Sequence, residues 1–469
     1  MIMLADVLES LSGLRSVGMV QTIRRFVIDS REAKPKDVFV ALKGDDTDGH
    51  LHVADAFSRG AIAALVDHEV DVDAAIVDLE PGSTAPQSLP LPVCLRVADV
   101  LTALQSIATW WRDRFPTLRV IGITGSVGKS STKELTAAVL SRHYNVLKNE
   151  GNLNNEIGLP LTLLRLEQHH QRAVLEMGMY ARGEIATLCE IAKPVIGVET
   201  IVGPIHLERL GTIEAIAQAK AELVKALPAD GVAILNYDEP LVRQMADQTD
   251  ANILYYGLSP QADLWADDIH SEGLQGIRFQ LHHHDETMHV RVPLLGRHSV
   301  HTALRAAAVG VAEGLLWDQI LRGLQDRRAV LRLVAVPGPN GSTLLDDTYN
   351  ASSESTIAAL NLLDDLEGRK IAVLGGMLEL GTYETREHRK VALRTIDVAD
   401  VLVTVGQLGM TIANVARRQG MSSERIHACE SNDEAIALLR EIIEQGDMVL
   451  VKGSRGLHME TIVHELGEG

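Results

Sequence analysis

An α/β fold in three successive domains is what this sequence predicts, and three observations carry the prediction. At 469 residues the chain is too long for one ordinary core, and domain sizes suggest about three. Hydrophobic residues make up 46% and aromatic residues only 3%, so the cores rest on Val, Ile, Leu and Ala, which suits parallel sheets covered by helices. Apolar runs bounded by turn residues alternate with helical patterns along most of the chain, as in βαβ units.

The elements follow in order. Phe26-Val27-Ile28-Asp29, Val38-Phe39-Val40-Ala41-Leu42 and Ala63-Ala64-Leu65-Val66 read as short strands of a small α/β domain over residues 1–98. Residues 81–92 hold four prolines and read as an irregular excursion. Residues 100–111 read as a helix leading into a central domain over 99–325. There Val174-Leu175-Glu176, Val195-Ile196-Gly197-Val198 and Val232-Ala233-Ile234-Leu235 read as strands of a mostly parallel sheet, separated by helical patterns such as 212–227. Residues 277–292 alternate apolar with polar residues and read as antiparallel. A second alternating series, Thr343-Leu344-Leu345, Ile371-Ala372-Val373-Leu374, Val401-Leu402-Val403-Thr404 and Met448-Val449-Leu450-Val451, forms a separate doubly wound domain over 326–469. Gly375-Gly376 follows one of its strands without a complete dinucleotide fingerprint.

Composition narrows the partners. With 63 acidic against 44 basic residues, a net charge of −19 and no long basic run, nucleic acid is not the main partner. Cys94, Cys189 and Cys429 lie far apart and show no metal or redox spacing. The N-terminal residues lack a leader pattern and no segment is apolar enough to span a bilayer, so a soluble, cytoplasmic protein without membrane insertion is expected.

The most specific local signal lies at Val120-Ile121-Gly122-Ile123-Thr124-Gly125-Ser126-Val127-Gly128-Lys129-Ser130-Ser131. An apolar strand turns through glycines into a lysine, two hydroxyls and a helical pattern in which Leu135, Ala138 and Val139 share a face. Glycines let backbone N–H groups approach a phosphate chain, and the helix directs the positive end of its dipole there. Lys129 would meet the outer phosphates and Ser130 a magnesium ion. Ile123 stands where the common pattern has its first glycine, so this loop is a shortened one.

Five further features could carry chemistry. Glu176 ends a strand, at the sheet edge where α/β proteins place ligands; it reads as a metal ligand or as a helix cap or surface residue. His206, in Gly203-Pro204-Ile205-His206-Leu207-Glu208, could ligate metal or bind phosphate. Lys220 lies in a helical run, where an unpaired lysine is ordinarily solvated. Asn149-Glu150-Gly151-Asn152-Leu153-Asn154-Asn155 offers several donors and acceptors to a polar substrate, or a turn before a capped helix. Asp346-Asp347-Thr348-Tyr349-Asn350 follows a strand, where acids could take a ribose or a metal, or cap a helix.

Taken in order, these motifs, with Asp29-Ser30-Arg31, Asp48-Gly49-His50, Asn152-Leu153-Asn154-Asn155-Glu156-Ile157-Gly158-Leu159-Pro160, Leu374-Gly375-Gly376-Met377-Leu378-Glu379 and Lys452-Gly453-Ser454-Arg455-Gly456, resemble the ATP-dependent Mur ligases over nearly the full length. Within that family, the 152–160 and 346–350 blocks favour the dipeptide-adding member. The resemblance implies an N-terminal domain for a UDP-sugar, a central P-loop ATPase and a C-terminal Rossmann-like domain for the incoming amino compound. It implies that ATP converts the terminal carboxylate of UDP-N-acetylmuramoyl-tripeptide to an acyl phosphate, which the amine of D-alanyl-D-alanine attacks. By the same resemblance, Gly125, Ser126, Val127, Gly128, Lys129, Ser130, Ser131, Asn236, Thr302 and Asp347 contact ATP. Ser130 and Glu176 serve one Mg2+, while His206 and a carbamylated Lys220 serve a second. Lys129, His206 and Lys220 are the catalytic set, and Ser30, Arg31, Asn152, Asn154 and Asn155 contact substrate. A monomer is expected. Where the family has His-Asn-x-x-Asn, this chain has His298-Ser299-Val300-His301-Thr302, and Arg327, Arg328 and Arg332 compete for the family's linker arginine. Another ligase of the same superfamily, adding the third peptide residue or resembling folylpolyglutamate synthase, and a non-catalytic nucleotide-binding regulator are the alternatives.

Overall fold

A computed structural model describes residues 1–13, 20–44, 47–79, 89–205, 207–326 and 333–467. His206, the three competing arginines and most of the proline-rich excursion lie outside the described residues. Contacts divide the chain into two units: Met1–Gly122 with Tyr144–Met179 and Gly183–Val195, and Ile123–His143 with Tyr180–Arg182 and Ile196–Gly469.

In the first unit, five parallel strands lie in the order Phe26–Val27, Val38–Val40, Ala63–Val66, Val93–Arg96, Ala75–Asp78. The three inner strands are buried almost without interruption, as a parallel sheet covered on both faces requires. The edge strand Ala75–Asp78 instead alternates half-buried with exposed residues. The same unit pairs Val146–Lys148 with Arg172–Glu176 in parallel register, Lys148 opposite Val174. The expected helix is present as Val100–Asp113, capped by the Asp99 carboxylate on the Thr102 amide. Its buried Arg112 reaches three carbonyls: Nε donates to Ala192, Nη1 to Phe115 and Nη2 to Leu118, at 3.0, 2.9 and 3.1 Å.

In the second unit, Ile196–Glu199, Val232–Asn236, Asn252–Gly257 and Leu264–Ser271 run parallel in that spatial order. Ile277–His283 and Glu286–Val292 extend the row antiparallel, as their alternation predicts. The 212–227 pattern is two helices, Ile213–Lys220 and Glu222–Lys225, broken at Ala221. A second sheet in this unit has the order Val334–Pro337, Thr343–Asp347, Met448–Lys452, Lys370–Leu374, Val401–Val405, Ile426–Cys429, all parallel except the first pair. Alternate residues feed two cores: Leu345, Ala372 and Leu450 join one, and Leu344, Ile371 and Val449 the other. That two-sided burial is the doubly wound arrangement read from sequence. The three cysteines are buried free thiols. Among the described residues no helix is long and apolar enough to cross a membrane.

Arg112→Ala strips three buried carbonyls of their donor and is expected to destabilise the first unit by about 3 kcal/mol. Urea unfolding followed by the fluorescence of neighbouring Trp110 and Trp111 measures this, and an unchanged midpoint contradicts the assignment.

Candidate nucleotide site and its buried charges

The phosphate-loop motif folds as its local chemistry requires. Strand Arg119–Thr124 ends, the chain turns through Gly125 at φ +136° and Gly128 at φ +87°, and helix Lys129–Leu140 begins. The seat of the loop is the segment after strand Ile196–Glu199. The Thr200 amide donates to Thr124 O at 3.0 Å, and the Ser126 amide to Ile201 O at 2.7 Å. Ser126 Oγ accepts from the Gly203 amide and donates to the Gly203 carbonyl. The hydroxyl of Ser126, a residue expected at the nucleotide, thus holds the loop. A Cβ on Gly125 would stand 1.8 Å from Thr200 Oγ1, so both the backbone angle and the space demand glycine. Lys129 Nζ folds back onto the carbonyls of Gly125 and Ser126 at 2.7 and 3.3 Å.

Lys220 ends the helix that Thr212 caps, and it is not the solvated lysine that its position in a helix suggests: it is 2% exposed. Near it in charge terms is Glu199, the last residue of its strand, wholly buried and with both carboxylate oxygens lacking a hydrogen-bond partner among the described residues. Burial drives each towards its neutral form. The Lys220 ammonium is pushed down, further disfavoured by Lys129; the Glu199 carboxyl is pushed up, with Lys220 and Lys129 pulling it back. Glu199 escaped the sequence reading, although the strand-end argument that singled out Glu176 applies to it equally.

Behind the loop, Tyr256 donates its hydroxyl to the carbonyls of Glu199 and Thr200 at 3.0 and 2.9 Å. Asn236 Oδ1 accepts from the Asp238 amide, and its Nδ2 faces Thr200 O at 3.5 Å; this expected ATP contact is 2% exposed and ties strand ends together. Helix Val300–Ala312 carries Thr302, whose Oγ1 accepts from Arg305 Nη2 at 3.0 Å. His301 is half-buried and its neutral form is favoured: burial, reinforced by Arg305, pushes it down to about 4. His298, in the turn before this helix, is exposed to solvent, and Lys452 and Arg305 disfavour its charged form as well. In the neighbouring sheet Asp347 and Lys452 are opposite each other in register, and Lys452 Nζ reaches Asp347 Oδ2 at 2.6 Å and Asn350 O at 2.9 Å.

The first unit holds the remaining predicted residues. Glu176 is 1% exposed and is set by two asparagines. Asn149 clamps its backbone in both directions, at 3.0 Å each, and Asn154 Nδ2 donates to Glu176 Oε1 at 2.8 Å. Asn149 was quoted in the motif without a role; here it orders the acid. Asn155 accepts from the Gly158 amide at the start of helix Gly158–Leu163, and Asn152 is exposed in the loop between. Ser30 is buried, while Arg31 is exposed and paired with Asp29. Asp48, His50 and His68 lie within metal-ligand reach of one another. Both ring nitrogens of His50 are engaged, however, Nδ1 with Asp48 at 2.6 Å and Nε2 accepting from the Asp67 amide at 3.1 Å, so the trio works as a loop clamp.

A shortened phosphate loop, a buried lysine and a buried carboxylate on parallel α/β sheets define a nucleotide-using enzyme of the phosphate-loop class. Comparison with known proteins names the lineage. Residues 22–107 match the Mur ligase family catalytic domain, 123–310 the Mur ligase middle domain and 331–455 the Mur ligase glutamate ligase domain. The chain is 37% identical to UDP-N-acetylmuramoyl-tripeptide--D-alanyl-D-alanine ligase of Bacillus subtilis, covering 94% of this chain and 92% of that one. Against the enzyme of the same name from Escherichia coli it is 34% identical, covering 95% and 94%. Crystal structure I of MurF from Acinetobacter baumannii superposes with a TM-score of 0.84 at 30% identity, covering 98% of each chain. MurF ligase from Thermotoga maritima in complex with ADP gives 0.79 at 28%, covering 94% and 96%. The chain belongs to the Mur ligase family, with that family's three-domain α/β architecture.

Gly125→Ala is expected to lower ADP affinity at least about tenfold by driving the loop off Thr200, with Thr200→Ala in the same chain recovering part of the loss; calorimetric titration measures both. The half-buried His301 sets an acid limit. Above its ordinary value near 6.5 it is neutral folded and unfolded and contributes nothing. As pH falls towards 4 the unfolded chain takes up a proton that the folded chain refuses, costing at most about 2 kcal/mol at pH 5. Urea midpoints at pH 7 and pH 5 should therefore lie closer together in the His301→Gln variant than in the native protein.

Proposed function

We propose that this chain is the ATP-dependent amide ligase that joins D-alanyl-D-alanine to UDP-N-acetylmuramoyl-tripeptide in peptidoglycan precursor synthesis. The observation that carries the reading is the buried Lys220–Glu199 pair beside the phosphate loop, in a chain whose relatives bear that enzyme's name over nearly their whole length. A carboxylate is a poor electrophile because its charge is delocalised and its leaving group would be oxide. Phosphorylation removes both obstacles: a substrate carboxylate oxygen attacks the γ-phosphorus and ADP leaves. The dipeptide amine then attacks the acyl carbon, loses a proton, and inorganic phosphate departs with the carboxylate-derived oxygen.

Phosphoryl transfer to an anion needs charge neutralisation and alignment. The amides of Gly125, Val127, Gly128 and Lys129, with the Lys129 ammonium and the Ser130 and Ser131 hydroxyls, supply these at the loop that Ser126 fastens. Asn236 and Thr302 serve the nucleoside side, and Asp347 joins from the last domain, so that domain closure completes the site. The buried carboxylate oxygens of Glu199, which accept no hydrogen bond among the described residues, fit a divalent metal nearby. Ser130 and Glu176 would hold one Mg2+, and His206 with carbamylated Lys220 a second. Magnesium, when bound, neutralises the phosphate oxygens. Lys220 suits carbamylation because burial favours its neutral amine, the form that adds to CO2, losing a proton and becoming a carbamate anion. Ser30, Arg31, Asn152, Asn154 and Asn155 hold the UDP-tripeptide. The proposed domain boundaries are 98/99, which falls inside the matched segment 22–107, and 325/326, which falls between the segments 123–310 and 331–455.

Phosphate release from ATP and Mg2+ with UDP-N-acetylmuramoyl-tripeptide is expected to depend on D-alanyl-D-alanine; release indifferent to the dipeptide refutes the substrate assignment. Lys220→Ala is expected to lose at least about a hundredfold in kcat, and full activity unaffected by added bicarbonate would sink the carbamate.

A further inference from the structure

Among the described residues two arginines are buried, and they are satisfied differently. Arg112 spends its guanidinium on three backbone carbonyls, as a structural arginine does. Arg305, 4% exposed on helix Val300–Ala312, has neutral partners only. Nη2 donates to Thr302 Oγ1, and the guanidinium carbon lies over the Tyr256 ring, 5.8 Å from its centre. Nε has no partner, and among the described residues no carboxylate pairs with the charge. Arginine does not shed its proton to escape burial, and an uncompensated buried charge costs several kcal/mol.

The position of the charge points to its counterion. Arg305 Nη2 and Nη1 stand 3.1 and 3.4 Å from where a Cβ on Gly128 would be. Gly128 is the last loop residue before the helix, where phosphate-binding amides converge. A side chain at Gly128 would therefore collide with the guanidinium, and the glycine leaves the cation against the loop.

We propose that Arg305 is a nucleotide-positioning residue whose missing counterion is the polyphosphate held in the Gly125–Lys129 loop. It acts from the helix behind the loop, where Thr302 and Tyr256 fix the guanidinium plane. This rests on the ATP-binding reading above and adds to it a residue outside the loop motif. A positively charged, oriented group there makes affinity depend on the phosphates and not on the base.

Calorimetric titration of the full chain with Mg-ADP and with adenosine, for the native protein, Arg305→Met and Arg305→Lys, tests it, with thermal unfolding in the absence of nucleotide as the check on folding. Arg305→Met is expected to weaken ADP at least about tenfold and leave adenosine within about twofold, without lowering the nucleotide-free unfolding temperature. Arg305→Lys should recover most of the ADP affinity, since the charge is retained. Unchanged ADP binding in Arg305→Met, equal losses for ADP and adenosine, or a loss tracking a lowered unfolding temperature would overturn the proposal. Failure of the native protein itself to bind ADP would instead overturn the nucleotide reading on which it rests.

Discussion

How closely Gly125 approaches Thr200 governs the rest of the nucleotide site. Only a residue without a Cβ can pass that hydroxyl, and the loop is then fastened by the Ser126 amide on Ile201 and the Ser126 hydroxyl on Gly203. Tyr256 holds the other side of the same segment through the carbonyls of Glu199 and Thr200. Loop, strand end and tyrosine thus form one hydrogen-bonded unit. Its placement brings Lys129 into electrostatic contact with Lys220 and Glu199.

Arg305 carries a buried charge with no carboxylate paired to it among the described residues, while Lys452 is answered by Asp347. Stability alone would replace such a buried cation by an apolar residue; a polyphosphate accounts for its retention. The pull of burial on Lys220 towards neutrality fits the proposed carbamate, because a neutral amine can be turned into that anion and a charged one cannot.

Sequence disclosed what is local. The phosphate loop was legible because strand, glycines, lysine and helix are consecutive, and the two-sided cores of the last domain were legible because their strands are nearly uniform apolar runs. What tertiary packing decides was not. Lys220 reads as a surface lysine until the fold buries it, and nothing in the alanine-rich pattern around Arg305 says that this helix presses against the loop. Ser126 and Asn236 have residue types suited to a nucleotide, and only the fold shows that their side chains also bond to Gly203, and to Asp238 and Thr200. Asn149 reads as one amide among several, and only the pairing of Val146–Lys148 with Arg172–Glu176 reveals that it orders Glu176. The break at Ala221 is hidden because both helices continue one apolar periodicity.

The central claim is that the site activates a carboxylate as an acyl phosphate. Oxygen tracing tests it most directly: UDP-N-acetylmuramoyl-tripeptide labelled with oxygen-18 in its terminal carboxylate is ligated to D-alanyl-D-alanine with unlabelled ATP, and the released phosphate is weighed by mass spectrometry. The account predicts one labelled oxygen in each phosphate released. Unlabelled phosphate alongside normal amide formation would contradict it.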